Sequence, residues 1–75
     1  GEEELARLET TLETAEPIGY GKWQFQLPDA GTWQTTEPAR FGLKSGQKIL
    51  LKKGTAGGYM MQIGNGGYIR VKRVG

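Results

Sequence analysis

Residues 22–27, Lys-Trp-Gln-Phe-Gln-Leu, decide the fold class. The apolar Trp23, Phe25 and Leu27 alternate with the polar Lys22, Gln24 and Gln26, a period of two that turns one face of an extended strand inward. Downstream, Pro28 to Gly31 reads as a chain reversal. Thr32 to Thr36 is short and rich in β-forming residues, with Trp33 and Thr35 on one face, so the two segments form a hairpin that Glu37 and Pro38 close. Further on, the turn signal Lys44-Ser45-Gly46 follows Phe41 and Leu43 and feeds a strand over Gln47 to Lys53, in which Ile49 and Leu51 alternate with Lys48, Leu50 and Lys52. Gly54 to Gly58 is a turn and Tyr59 to Ile63 a strand with Tyr59, Met61 and Ile63 together, leaving Met60 beside Gln62. Gly64-Asn65-Gly66-Gly67 makes a tight connection, and Tyr68 to Val74 is the last strand.

Upstream of the decisive stretch the reading divides. Glu2 to Leu8 is rich in helix formers with acids in the first turn, whereas Leu8 to Ala15 carries three Thr, whose branched Cβ prefers a pleated surface. Residues 1–7 are therefore expected to be an acidic lead-in, helical or frayed, and 8–75 a single domain that begins with a strand over Leu8 to Ala15. Pro17, Gly19 and Gly21 are expected to end that strand. With 75 residues, 13 of them Gly, there is room for one small core and several turns. Five or six short strands in an antiparallel meander would leave long edges and a bare apolar face if the sheet stayed open. The expected fold is thus all-β, a small SH3-like or OB-like barrel.

The chain has no Cys and no His, which removes the thiol nucleophile, the soft metal ligands and the usual neutral-pH base. No cofactor, no metal and no catalysis are expected. Asp29 and Glu37 flank Trp33 and invite comparison with a paired-carboxylate site, yet both lie in turns beside Pro28 and Pro38, where short polar residues shape the backbone. No apolar run approaches the roughly 20 residues of a membrane-spanning helix. The chain opens on Gly1 in place of Met, as a processed or excised protein would.

Charge is unevenly distributed. Residues 1–16 hold six acids and one base, whereas 17–75 hold two acids and nine bases, so the net +2 divides into −5 and +7. The basic part either attracts an anionic partner or receives the acidic arm itself. Arg70 and Lys72 share a strand face with Tyr68, and Lys48 and Lys52 share one in another strand. Phosphate neutralisation and base stacking would use such surfaces, although solvated strand faces carry the same residues. Trp33, in a short polar run, and Met60, on the outward side of its strand, complete the candidate binding residues.

Two resemblances follow from particular residues. The segment Gly46 to Gly58, GQKILLKKGTAGG, resembles the KOW motif of ribosomal and transcription-factor SH3-like barrels. More of the chain resembles a group of small exported proteobacterial proteins without assigned function. Leu27, Trp33, Thr36 and Glu37, then Ile49, Leu51, Gly54, Gly57, Tyr59 and Met61, and the ending Ile69-Arg70-Val71-Lys72-Arg73-Val74 carry that likeness. Gly31 sits one place late, Gln34 one place early, and Gly58 stands where a Ser is usual. This second resemblance implies a periplasmic or secreted β-barrel and no reaction. The expected function is a non-catalytic exported interaction module whose partner is a protein, a peptide or an envelope polymer. The alternative is a cytoplasmic nucleic-acid-binding domain that uses Lys48, Lys52, Arg70 and Lys72 on phosphates and Tyr68 on a base.

Overall fold

The alternation around Phe25 is realised as a strand whose Phe25 and Leu27 are enclosed and whose Gln26 faces solvent. The computed structural model describes residues 7–40, 42–54 and 57–75. These form β1 (Arg7–Thr11), β2 (Thr14–Gly19), β3 (Lys22–Leu27), β4 (Gly31–Thr35), β5 (Lys48–Lys53), β6 (Tyr59–Ile63) and β7 (Tyr68–Arg73). All seven belong to one antiparallel sheet of order β1-β5-β6-β7-β4-β3-β2. The sheet is two three-stranded meanders, β2-β3-β4 and β5-β6-β7, joined where β4 pairs with β7, with β1 laid on β5.

The all-β expectation is met, and the strand count of seven exceeds the expected five or six because the N-terminal strand is two. Leu12 donates its N–H to the Gln47 carbonyl at 2.9 Å and accepts from the Gly46 N–H at 2.7 Å, which ties it to the β5 side. One residue on, Glu13 donates to the Gln26 carbonyl of β3 at 2.8 Å. A straight strand cannot serve both partners, so the chain bends there with the buried Leu12 at the corner. The two ends of the strand order are therefore consecutive pieces of chain, and the sheet curls into a barrel-like shape. Arg7 opens β1; the rest of the acidic lead-in, 1–6, lies outside the described residues, as does Phe41.

Pro17 does not end its strand. It lies within β2 opposite Trp23, and Trp23 directs its own N–H the other way, to the Thr35 hydroxyl oxygen at 2.9 Å. In an antiparallel ladder such a pair exchanges no hydrogen bonds, so the missing N–H of Pro17 falls on the open edge, where it costs nothing.

Phe25, Leu27, Trp33, Ile49, Leu51, Met61 and Val71 supply the core from the strands, and Leu12, Ala30 and Leu43 from the connections. Trp23, half-buried, packs against this core as its periodicity with Phe25 requires. One turn and one close approach set the geometry of the first meander. At Pro28-Asp29 the Ala30 N–H reaches the Leu27 carbonyl and Asp29 takes φ 60°, the type II pattern with Pro leading. The backbone then approaches itself at Gly31, φ 88°, where the C-terminal strand is clamped by Thr32 N–H to Gly75 O at 3.0 Å and Val74 N–H to Thr32 O at 2.8 Å.

Candidate binding face

Register, more than any single residue, builds the site. Lys52 stands opposite Met60 and Met60 opposite Arg70, so these three form one row across β5, β6 and β7. In the next row Leu50 faces Gln62 and Gln62 faces Tyr68. Lys48 extends the face along β5 and Lys72 along β7, where it pairs with Gln34. Because Ile49, Leu51, Met61 and Val71 point into the core, the alternating residues all point outward. Six of the seven candidate residues, on three different strands, thus share one continuous surface. Leu50 and Gln62 belong to it as well, and their place in the alternation with Lys48, Lys52 and Met60 is the signal that marks them.

Trp33 is the exception and is corrected. Its ring is fully enclosed at 0% exposure, its Nε1–H donates to the Ala30 carbonyl at 2.8 Å, and Tyr59 meets it edge-on at 5.1 Å between centroids. β4 is an inner strand, flanked by β3 and β7, so its inward face is covered although its sequence is short and polar. No part of Trp33 is offered to a partner.

The face is basic. Lys48, Lys52, Arg70 and Lys72 stand on its outward rows, and neither β5, β6 nor β7 carries an acid. Among the described residues, Lys48, Arg70 and Lys72 form no ion pair. Two acids border the face, Glu9 opposite Leu50 on the adjoining β1 and Glu37 beside β7, and each has another partner. Glu9 on β1 pairs with Arg7 at 3.2 Å, and the Glu37 carboxylate accepts the Arg70 backbone N–H at 3.0 Å. With the Arg70 carbonyl taken by the Thr36 N–H at 3.0 Å, both backbone polar groups of Arg70 are bonded to the segment that follows β4, and the alternation along β7 turns its side chain outward. The role of Glu37 is legible only in three dimensions, since 33 residues separate it from Arg70. Asp29 serves the β3–β4 turn, so Asp29 and Glu37 have separate structural duties.

Tyr68 is 41% exposed, and the Lys52 ammonium sits 5.1 Å from its ring centroid, within cation–π range. Met60, half-buried, borders a groove of about 320 Å³ that Thr36, Tyr59, Arg70 and Lys72 also line. Gly54, Gly58 and Val71 complete its lining. Among the described residues no cluster of three or more Asp and Glu is placed to hold a metal ion, and no helix is long and apolar enough to cross a membrane. No protein-family model, curated protein or solved structure matches this chain.

Proposed function

We propose that the chain is a non-catalytic interaction module whose contact surface is the outer face of β5, β6 and β7 and whose partner presents anionic groups. The observation that carries this reading is the cross-strand register, which places Lys52 and Arg70 on either side of Met60 and extends the positive surface to Lys48 and Lys72. Cations brought together from separate strands, with no acid among those strands, raise the local potential and attract negative charge. Export to the periplasm or beyond is supported by the resemblance of the Leu27–Glu37 hairpin and the Ile69–Val74 ending to small exported barrels.

The test is titration of the isotope-labelled chain with polyphosphate and with poly-glutamate at low salt, followed through backbone amide shifts. Shifts concentrated on β5 to β7 and abolished by Lys52→Glu with Arg70→Glu are the expected result. Shifts centred on β2 and β3, or none, would refute the assignment.

A further inference from the structure

We infer that the anionic partner of this face is a single-stranded nucleic acid, bound without base preference, with Tyr68 as its stacking platform. This rests on the reading of the β5–β7 face just given and narrows it to one ligand class. A featureless polyanion needs cations alone, and the face offers more than cations. The partly exposed ring of Tyr68 lies among them, with Leu50 and Met60 beside it in the same two rows. Interleaved basic and aromatic groups fit a polymer that alternates phosphates with flat apolar bases.

Spacing supports the same partner. With strands about 4.8 Å apart and about 3.4 Å of rise per residue, Lys52 and Arg70 stand roughly 10 Å apart and Arg70 and Lys72 roughly 7 Å. A flexible chain that crosses from β5 to β7 meets one cation after another and passes Tyr68 between them. Lys52 already caps part of the Tyr68 ring, so a base that stacks on the remaining surface brings its own phosphate within reach of that ammonium.

Two observations decide the form of the nucleic acid. The residues lie on the outside of a curled sheet, a convex surface that a stiff duplex touches along a narrow line and that a single strand can follow. A duplex also keeps its base faces stacked inside, away from Tyr68. The absence of base preference follows from the amides. Gln62 commits its Nε2 to the Gly66 carbonyl at 2.7 Å and Gln34 commits its Nε2 to Gln24 Oε1 at 3.0 Å, so the amides that would read adenine are already engaged, and the four cations are taken up by phosphates.

The magnitude can be set from the number of cations. Four phosphate contacts, to Lys48, Lys52, Arg70 and Lys72, give a slope of about −2.8 in log affinity against log salt for a single strand, which is about a 50-fold loss over a fourfold rise in salt. The experiment measures anisotropy of fluorescein-labelled oligo(dT), with oligo(dA), a duplex of the same length and length-matched polyphosphate as competitors. Wild type is compared with Tyr68→Ala and with Arg70→Gln/Lys72→Gln. Tryptophan fluorescence confirms that each variant is folded, which the outward position of the three side chains favours.

Expected are the stated salt dependence, similar affinity for oligo(dT) and oligo(dA), weaker competition by duplex, and a loss of roughly fivefold or more for oligo(dT) in Tyr68→Ala, the low end of a stacking contribution. Polyphosphate competition should be unchanged in Tyr68→Ala and reduced in the double variant. If Tyr68→Ala leaves oligo(dT) untouched, or duplex competes better than single strand, the nucleic-acid inference fails and the anion-binding face stands. If neither oligo(dT) nor polyphosphate binds at low salt, both fail.

Discussion

Replacing Tyr20 by Asn should stabilise the protein. Tyr20 is 95% exposed at the tip of the β2–β3 hairpin, yet its backbone takes φ 56°, followed by φ 76° at Gly21. Two consecutive positive φ values between paired Gly19 and Lys22 are the type I′ pattern, which strongly prefers Asn-Gly. An ordinary L-residue held in that left-handed region is disfavoured by roughly 1–2 kcal/mol, and Asn recovers part of this through local hydrogen bonding. The ring is so exposed that its removal sacrifices almost no packing, so a net gain of about 0.5–1 kcal/mol is expected. For a domain of this size that is a rise of roughly 2–8 °C in Tm. Thermal unfolding followed by the fluorescence of the enclosed Trp33 reads the change directly, provided the transition is two-state. Tyr20→Ala is the control, because Ala meets the same backbone penalty and should leave Tm nearly unmoved. A Tyr20→Asn variant that melts at or below wild type, or an Ala variant that gains as much as Asn, would refute the turn-strain argument.

Two further outcomes follow from the core and the C-terminal clamp. Trp33→Phe removes the donor that satisfies the buried Ala30 carbonyl along with part of a fully enclosed ring, and should cost roughly 2–4 kcal/mol in urea unfolding; wild-type stability would show that the indole does not seal the barrel. Gly31→Ala forces a Cβ onto the Gly75 carbonyl oxygen at a backbone φ of 88°, and should cost roughly 2 kcal/mol while exposing the Thr32 and Val74 amides to hydrogen exchange. Unchanged protection at those two amides would contradict the close approach.

The candidate face is partly legible in the sequence. Tyr68, Arg70 and Lys72 could be assigned to one side of a strand, and Lys48 and Lys52 to one side of another, because a side chain's direction in a strand depends only on its parity. The burial of Trp33 is not legible there for a related reason. Its parity was right, but burial depends on how many strands flank β4, and a short polar run carries no record of its neighbours. The bond that Glu37 accepts is not legible in the sequence, because its partner is a backbone N–H on β7, a kind of contact with no residue-type signature.

What the amino-acid sequence determined by itself is the local part: strands with a two-residue period, turns at Pro28-Asp29 and Lys44-Ser45-Gly46, and an inward set led by Phe25, Leu27, Ile49 and Leu51. The pleat is a property of neighbouring residues, so a linear pattern is enough to specify it. Tertiary structure decided the bend at Leu12–Glu13, the tolerance of Pro17 in β2, and the order that sets β5, β6 and β7 side by side. Those features depend on which backbone groups find hydrogen-bond partners far along the chain. Only that pairing turns two separate pairs of basic residues into one charged surface.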